Sequence, residues 1–202
     1  MGMALAQDLT IWILAGGKSR RMGTDKAFVK LDGSTLLARS LALARSVSNR
    51  VCIVGRSEKF AAFATVAEDI FSDRGPLGGI HSALRNSQSE LNLMLAVDMP
   101  FVSQEFLAFL VQQASLTEAK VVVPRGNGSL QPLCAIYRRE FSVPAEKALR
   151  LGQNRIDRLF DPAGTRVIEE EELVRAGFTP SIFRNLNTRE ELKAQQTISG
   201  RG

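Results

Sequence analysis

Residues 9–26 read LTIWILAGGKSRRMGTDK. The opening run, Leu9 to Ala15, is short and apolar, as a buried strand is, and it empties into a loop crowded with glycines and cations. Similar runs recur at Arg50 to Val54, Leu91 to Val97 and Lys120 to Val123, while the residues between them carry helical spacing. Strands that alternate with helices imply an α/β fold with a largely parallel sheet.

The first such helix follows the glycine-rich loop. Ser34 is its expected cap, and Leu36, Leu37, Ser40, Leu41 and Ala44 recur at intervals of three and four, forming a stripe that packs on the sheet. Further helices are expected near Leu77 to Asn86, Ser103 to Ala114 and Val143 to Arg150. Thr188 with Glu191 forms a capping box for a last one. Leu130 to Arg138 reads as a strand, because Pro132 disfavours a helix interior and Cys134, Ile136 and Tyr137 suit a pleated surface. With 202 residues and 45% apolar content, the chain suits one domain over 1–202, its core about 9–196, with a loose tail from Thr197 to Gly202.

No apolar run reaches the roughly 18 residues of a membrane span, and the start MGMALAQDLT has neither a basic region nor a long apolar core for export. A cytoplasmic, membrane-free protein is expected. Cys52 and Cys134 lie in apolar β-like runs without CxxC spacing, which suits buried thiols better than a disulfide or a zinc site. A net charge of +5 favours anionic partners. With one tyrosine, one tryptophan and no aromatic stripe among the basic residues, nucleic acid is disfavoured.

In the loop from Leu14 to Lys26, Gly16 and Gly17 permit backbone amides to approach an oxygen-rich ligand, and Lys18, Arg20, Arg21 and Lys26 offset its charge. Such a loop suits a triphosphate. Gly17-Lys18-Ser19 imitates the end of a Walker A motif, but Trp12 stands where that motif needs glycine, and GxGxxG is also missing. A loop of about fifteen residues between strand and helix is long enough to suggest function.

Asp98, in NLMLAVDMP, follows an apolar strand and precedes Pro100. The carboxyl ends of strands face the ligand crevice in an open α/β sheet, so this acid is a candidate to hold Mg2+ against substrate phosphates, with turn capping as the plainer alternative. In EDIFSDRGPLGGIHSAL, Asp69 and Asp73 flank a glycine-rich helix entry in which Gly79 permits close approach to a nucleotide. His81 is assigned to structure, because transfer onto an ionised phosphate needs no general base.

Together LAGGKSRRMGTDK, EDIFSDRGPLGGI, VDMP, QPLCAIYR and NLNTREEL resemble, in the same order, the molybdenum cofactor guanylyltransferase family. The resemblance implies a Rossmann-like three-layer α/β/α architecture of the nucleotide-diphospho-sugar transferase-like type. It also implies that Leu14, Ala15 and Gly16 meet the nucleotide through backbone, that Lys26 meets its phosphates or polar groups on the base side, that Asp69 helps recognise guanosine, and that Asp98 holds Mg2+. One departure is Cys52-Ile53-Val54-Gly55-Arg56, where family members can carry a nucleotide-contacting Asn after the second strand.

The implied reaction joins the terminal phosphate of molybdopterin, with or without molybdenum, to the α-phosphorus of GTP and releases pyrophosphate. Arg20, Arg21 and Lys26 would stabilise developing charge, so Arg21, Lys26 and Asp98 are the expected catalytic residues. GTP and molybdopterin are the expected partners, alongside proteins that deliver the cofactor. A cytidylyltransferase for the pterin or for a sugar or polyol phosphate would keep the same loop and acid. A silent nucleotide-binding module would be favoured only by loss of the loop cations or Asp98.

Overall fold

Alternation within the first strand decides how the layers are built. Ile11 and Ile13 point to one face of the sheet and Trp12 to the other, and all three are buried, so the strand needs helices on both sides. The computed structural model describes residues 8–16 and 25–186. Its elements in chain order are β1 (Leu9–Leu14), β2 (Lys30–Leu31), β3 (Ser34–Thr35), α1 (Leu36–Arg45), β4 (Val51–Val54), α2 (Ser57–Phe60), β5 (Thr65–Ala67) and α3 (Gly75–Asn86). They continue with β6 (Leu91–Ala96), α4 (Gln104–Ser115), β7 (Val121–Gly126), β8 (Ser129–Leu130), β9 (Cys134–Arg138), α5 (Ser142–Arg150), β10 (Thr165–Ile168) and α6 (Glu170–Arg175).

The main sheet runs β10-β7-β9-β6-β1-β4-β5, with β8 beside β7. Pairings β1 with β4, β1 with β6, β4 with β5 and β7 with β10 are parallel, whereas β9 is antiparallel to both β6 and β7. Helices α1, α4 and α6 bury Leu37, Leu41, Phe106, Leu107 and Leu173 against one face. Helices α3 and α5 bury Leu77, Ile80, Ala145 and Leu149 against the other. The expected three-layer α/β/α arrangement with a mostly parallel sheet is therefore present. No helix among the described residues is long and apolar enough to cross a membrane.

Helix α1 buries Leu36, Leu37, Ser40, Leu41 and Ala44, the stripe its spacing predicts. Its cap is different from the expected one. Thr35 Oγ1 accepts from Ala38 N at 3.1 Å, while Ser34 is committed to β3, where the β2–β3 hairpin delivers the chain one residue later. The expected single strand from Leu130 to Arg138 is also divided. A turn at Gln131 to Leu133, closed by Cys134 N donating to Gln131 O at 3.0 Å, separates β8 from β9 at the proline that cannot donate to a ladder. The capping box expected at Thr188 and Glu191 lies outside the described residues, and a capping box is found instead at Glu169 and Glu172, opening α6.

Cys52 and Cys134 are free thiols. Cys134 is fully buried, and desolvation pushes its thiol up to about 12. His81 is 1% exposed on α3, with Nε2 3.5 Å from Glu146 Oε2. Desolvation holds this imidazole below the usual histidine range; the Glu146 carboxylate opposes the shift, and Arg85 and Arg150 add to it.

A histidine with a depressed folded pKa binds its proton more readily in the unfolded chain. Neutral His81 therefore contributes stability that is complete above the unfolded value of about 6.5 and is lost as pH falls from there through the lower folded value. The melting temperature of the wild type is expected to fall more between pH 7.5 and pH 5.5 than that of His81→Leu. Identical slopes in thermal scans at the two pH values would rule this out.

Candidate active site

The strand order reverses between β1 and β6, since the chain leaves β1 for β4 on one side and returns to β6 on the other. Loops diverge at such a switch point and leave a crevice beyond the carboxyl ends of the strands. Here it is a cavity of about 240 Å³ whose floor is Leu14, Val54 and Ala96, the last residues of β1, β4 and β6. The residues after those strands form its walls, and Asp25, Lys26, Asp69, Gly79 and Asp98 reach it from separate segments. A wider compartment of about 740 Å³ adjoins it past Ala15 and Gly16, towards Arg56, Lys59 and Asp73.

Two expected site residues meet across the chain. Lys26 Nζ lies 2.7 Å from Asp98 Oδ2, with both side chains mostly shielded from solvent. Asp98 is held at the mouth of β6 by its neighbours: Val97 N donates to Leu14 O at 3.3 Å, and Asp98 O accepts from Leu186 N at 3.1 Å. That second bond brings the late segment against the same loop, where the Arg184 guanidinium lies 4.5 Å from the Phe101 ring centroid.

Lys26 begins a single helical turn that Asp25 caps by accepting from Ala27 N at 3.2 Å. The same Asp25 carboxylate takes Lys59 Nζ at 2.6 Å, which ties α2 to the loop. Sequence reasoning passed over Asp25 and Lys59, because α2 is one short turn without an apolar stripe. It also missed the role of the β8–β9 turn. Tyr137 OH donates to Pro132 O at 2.8 Å, and Ala96 N donates to Leu133 O at 2.8 Å, so Leu133 closes the cavity from the far side.

The backbone after β1 differs from expectation. Ala15 N and Gly16 N both donate to Val54 O at 3.1 Å, so these amides close the β1–β4 junction and are not presented to a ligand. What remains of this backbone for a nucleotide is the carbonyl side, and the small surface that Gly16 leaves uncovered. Gly17 and Arg21, expected at the nucleotide and in catalysis, lie outside the described residues.

Asp69 and Gly79 both line the cavity. Although Asp69 as a residue is exposed, its Oδ1 is turned towards α3, where a Cβ built on Gly79 would lie 3.8 Å away. Desolvation first, and then the charge of Asp73, raise the Asp69 carboxyl above its ordinary range. Helix α3 begins at this wall with Gly75 and Pro76, and Arg74 supplies no side-chain cap. Gly75 and Pro76 line the cavity, so the positive end of the helix dipole lies at this wall, an arrangement that favours an anion. His81 is turned away from the cavity, among Phe71 and Glu146.

Whether this site suits Mg2+ can be tested on its donors. Among the described residues no group of three or more His, Cys, Asp or Glu side chains is arranged to hold a metal. The site offers a single carboxylate at the strand end, already paired with an ammonium. Mg2+ commonly takes one or two carboxylates and completes its shell with waters and substrate phosphates, so the donor set fits it.

A switch-point crevice edged by a glycine-bearing strand end, an acid after the fourth parallel strand and an uncapped helix start suits a phosphate-bearing ligand. Residues 11–170 match the MobA-like NTP transferase domain, and the chain belongs to that family. A molybdenum cofactor guanylyltransferase of Desulfosudis oleivorans is 35% identical over 190 residues, covering 92% of this chain and 94% of the relative. Another, of Syntrophotalea carbinolica, is 31% identical and covers 90% and 87%.

The crystal structure of molybdopterin-guanine dinucleotide biosynthesis protein A from Archaeoglobus fulgidus superposes with a TM-score of 0.81 at 28% identity, over 96% of this chain and 100% of that one. A 4-diphosphocytidyl-2C-methyl-D-erythritol synthase from Anaerococcus prevotii shares the fold, with a TM-score of 0.71 at 14% identity over 98% and 99% of the chains.

Proposed function

We propose that this chain transfers GMP from GTP to the terminal phosphate of molybdopterin, with or without molybdenum, in the cytoplasm. The observation that carries the chemistry is the meeting of Lys26 and Asp98 at 2.7 Å, at the crevice where β1 and β6 diverge. Family membership supplies the substrates, and the site supplies the means.

An oxygen of the pterin's terminal phosphate attacks the α-phosphorus of GTP. One new P–O bond forms, the bond from the α-phosphorus to the bridging oxygen breaks, and pyrophosphate leaves with that electron pair. The nucleophile is already ionised, so no side chain need remove a proton. The work of this chain is to hold both polyanions close and to offset their charge. In this reading Lys26 and the start of α3 meet the phosphates and Asp69 meets the nucleoside, over the floor of Leu14, Val54 and Ala96 and opposite Leu133, all of which line the cavity. Mg2+ held by Asp98 would neutralise charge on the transferring and leaving phosphates.

Guanine presents N1 and N2 donors that one carboxylate can accept together, and cytosine lacks that edge. Asp69, which lines the cavity beside Gly79, is the acceptor assigned to it. Pyrophosphate release from molybdopterin with Mg2+ and each nucleotide is expected to favour GTP over ATP and CTP by about tenfold or more, the scale set by leaving a partly desolvated acceptor unpaired. A preference for CTP would move the chain to the cytidylyltransferase reading.

A further inference from the structure

The loop that carries Asp69 is fastened from behind the cavity. On α3, buried Ser82 accepts through Oγ from Ile70 N at 2.9 Å. The next residue, Phe71, meets the buried His81 ring edge-on at 5.2 Å between centroids, and the Arg150 guanidinium lies 5.9 Å from its own ring centroid.

Glu146 joins those two supports. Its Oε1 accepts from Arg150 Nη2 at 2.6 Å and from Nε at 3.0 Å, while its Oε2 is 3.5 Å from His81 Nε2. Glycine at position 78 lets helix α3 come this close without crowding: a Cβ there would sit 3.1 Å from Phe71 O. Helix α5, which contributes both Glu146 and Arg150, provides none of the described residues that line the cavity or its outer compartment.

We propose that Phe71 is a positioning residue for base selection: gripped between His81 and Arg150, it aims the Asp69 carboxylate two residues away, and so gives α5 a hold on which base is accepted. The physical ground is directionality. A carboxylate that must accept two parallel N–H bonds loses both when its loop shifts by about 1 Å, and contacts to the phosphates are spared. The proposal rests on Asp69 as the acid that reads guanine.

The test compares GTP with ITP, whose base lacks only the N2 amine, by steady-state pyrophosphate release with Mg2+ and molybdopterin. Phe71→Leu keeps apolar volume and removes the ring. It is expected to shrink the wild-type preference for GTP by about fivefold to tenfold, with the change falling mainly on KM. Arg150→Ala should give a smaller loss of the same kind, and Arg150→Lys, which retains a cation over the ring, should restore most of it.

Thermal unfolding followed by the fluorescence of Trp12, the single tryptophan, checks folding. The Arg150 side chain is 67% exposed, so its variants keep the proposal testable even where Phe71→Leu does not fold. Folded variants that keep the full preference for GTP, or that lose GTP and ITP turnover equally, overturn the grip. A wild type indifferent between the two nucleotides overturns the guanine-reading role of Asp69 and this proposal with it.

Discussion

Asp98→Asn is expected to lower turnover with GTP at saturating Mg2+ by about 100-fold or more, while the fold survives. The amide has the shape of the carboxylate and lacks its charge, so the variant removes electrostatics with little change in packing. The position is set by backbone bonds, Val97 N to Leu14 O and Leu186 N to Asp98 O, which the substitution leaves untouched. The pair with Lys26 is mostly shielded from solvent, so its loss adds a stability cost, which the melt reads separately from the rate. Pyrophosphate release and a thermal melt on the same preparation separate the two effects. A wild-type rate in the variant would remove Asp98 from the chemistry.

The parts of the fold that announce themselves in the sequence are those where one periodicity runs uninterrupted. Leu36 to Ala44 carries such a stripe, buried throughout, and Leu91 to Ala96 is such a run, buried from Asn92 onward. Strand β10 escaped notice because it pairs on one side only, with β7, and buries only Ile168 fully, which leaves no apolar run to see. Helix α6 escaped for a similar reason, being six residues long with Leu173 its one buried residue. At Pro132 the missing N–H that argues against a helix argues equally against an unbroken strand, and the chain divides there into β8 and β9.

Site chemistry divides along the same line. Asp98 stood out against the turn-capping alternative because the glycine-rich loop stands in the same chain, and the glycine-rich entry of α3 because glycines there permit close approach to a nucleotide. What a linear reading cannot supply is pairing across distance. Lys26 and Asp98 are 72 positions apart, and nothing local marks either as the partner of the other. The use of Val54 O by the amides of Ala15 and Gly16 is equally hidden, since it depends on the parallel register of β1 with β4. Glycines in a phosphate-type loop thus need not all present amides; here the first of the pair closes the sheet.

The Lys26–Asp98 pair makes a second large prediction, with two readouts of opposite sign. The ammonium 2.7 Å from the carboxylate cancels charge that a divalent cation would need, and it also adds positive charge for the triphosphate. In Lys26→Ala the site loses its attraction for phosphate, and kcat/KM for GTP is expected to fall by about 100-fold. Asp98 is meanwhile left without its ammonium partner, so the local potential becomes more negative and the Mg2+ concentration giving half-maximal rate is expected to fall by about threefold to tenfold. Lys26→Arg keeps the charge and should recover part of the GTP term without the gain in Mg2+ affinity. Titrating the rate against Mg2+ at several GTP concentrations resolves the two terms. Loss of GTP use together with weaker Mg2+ response would mean that Lys26 helps to assemble the cation site, and the competition inferred from the pair would be wrong.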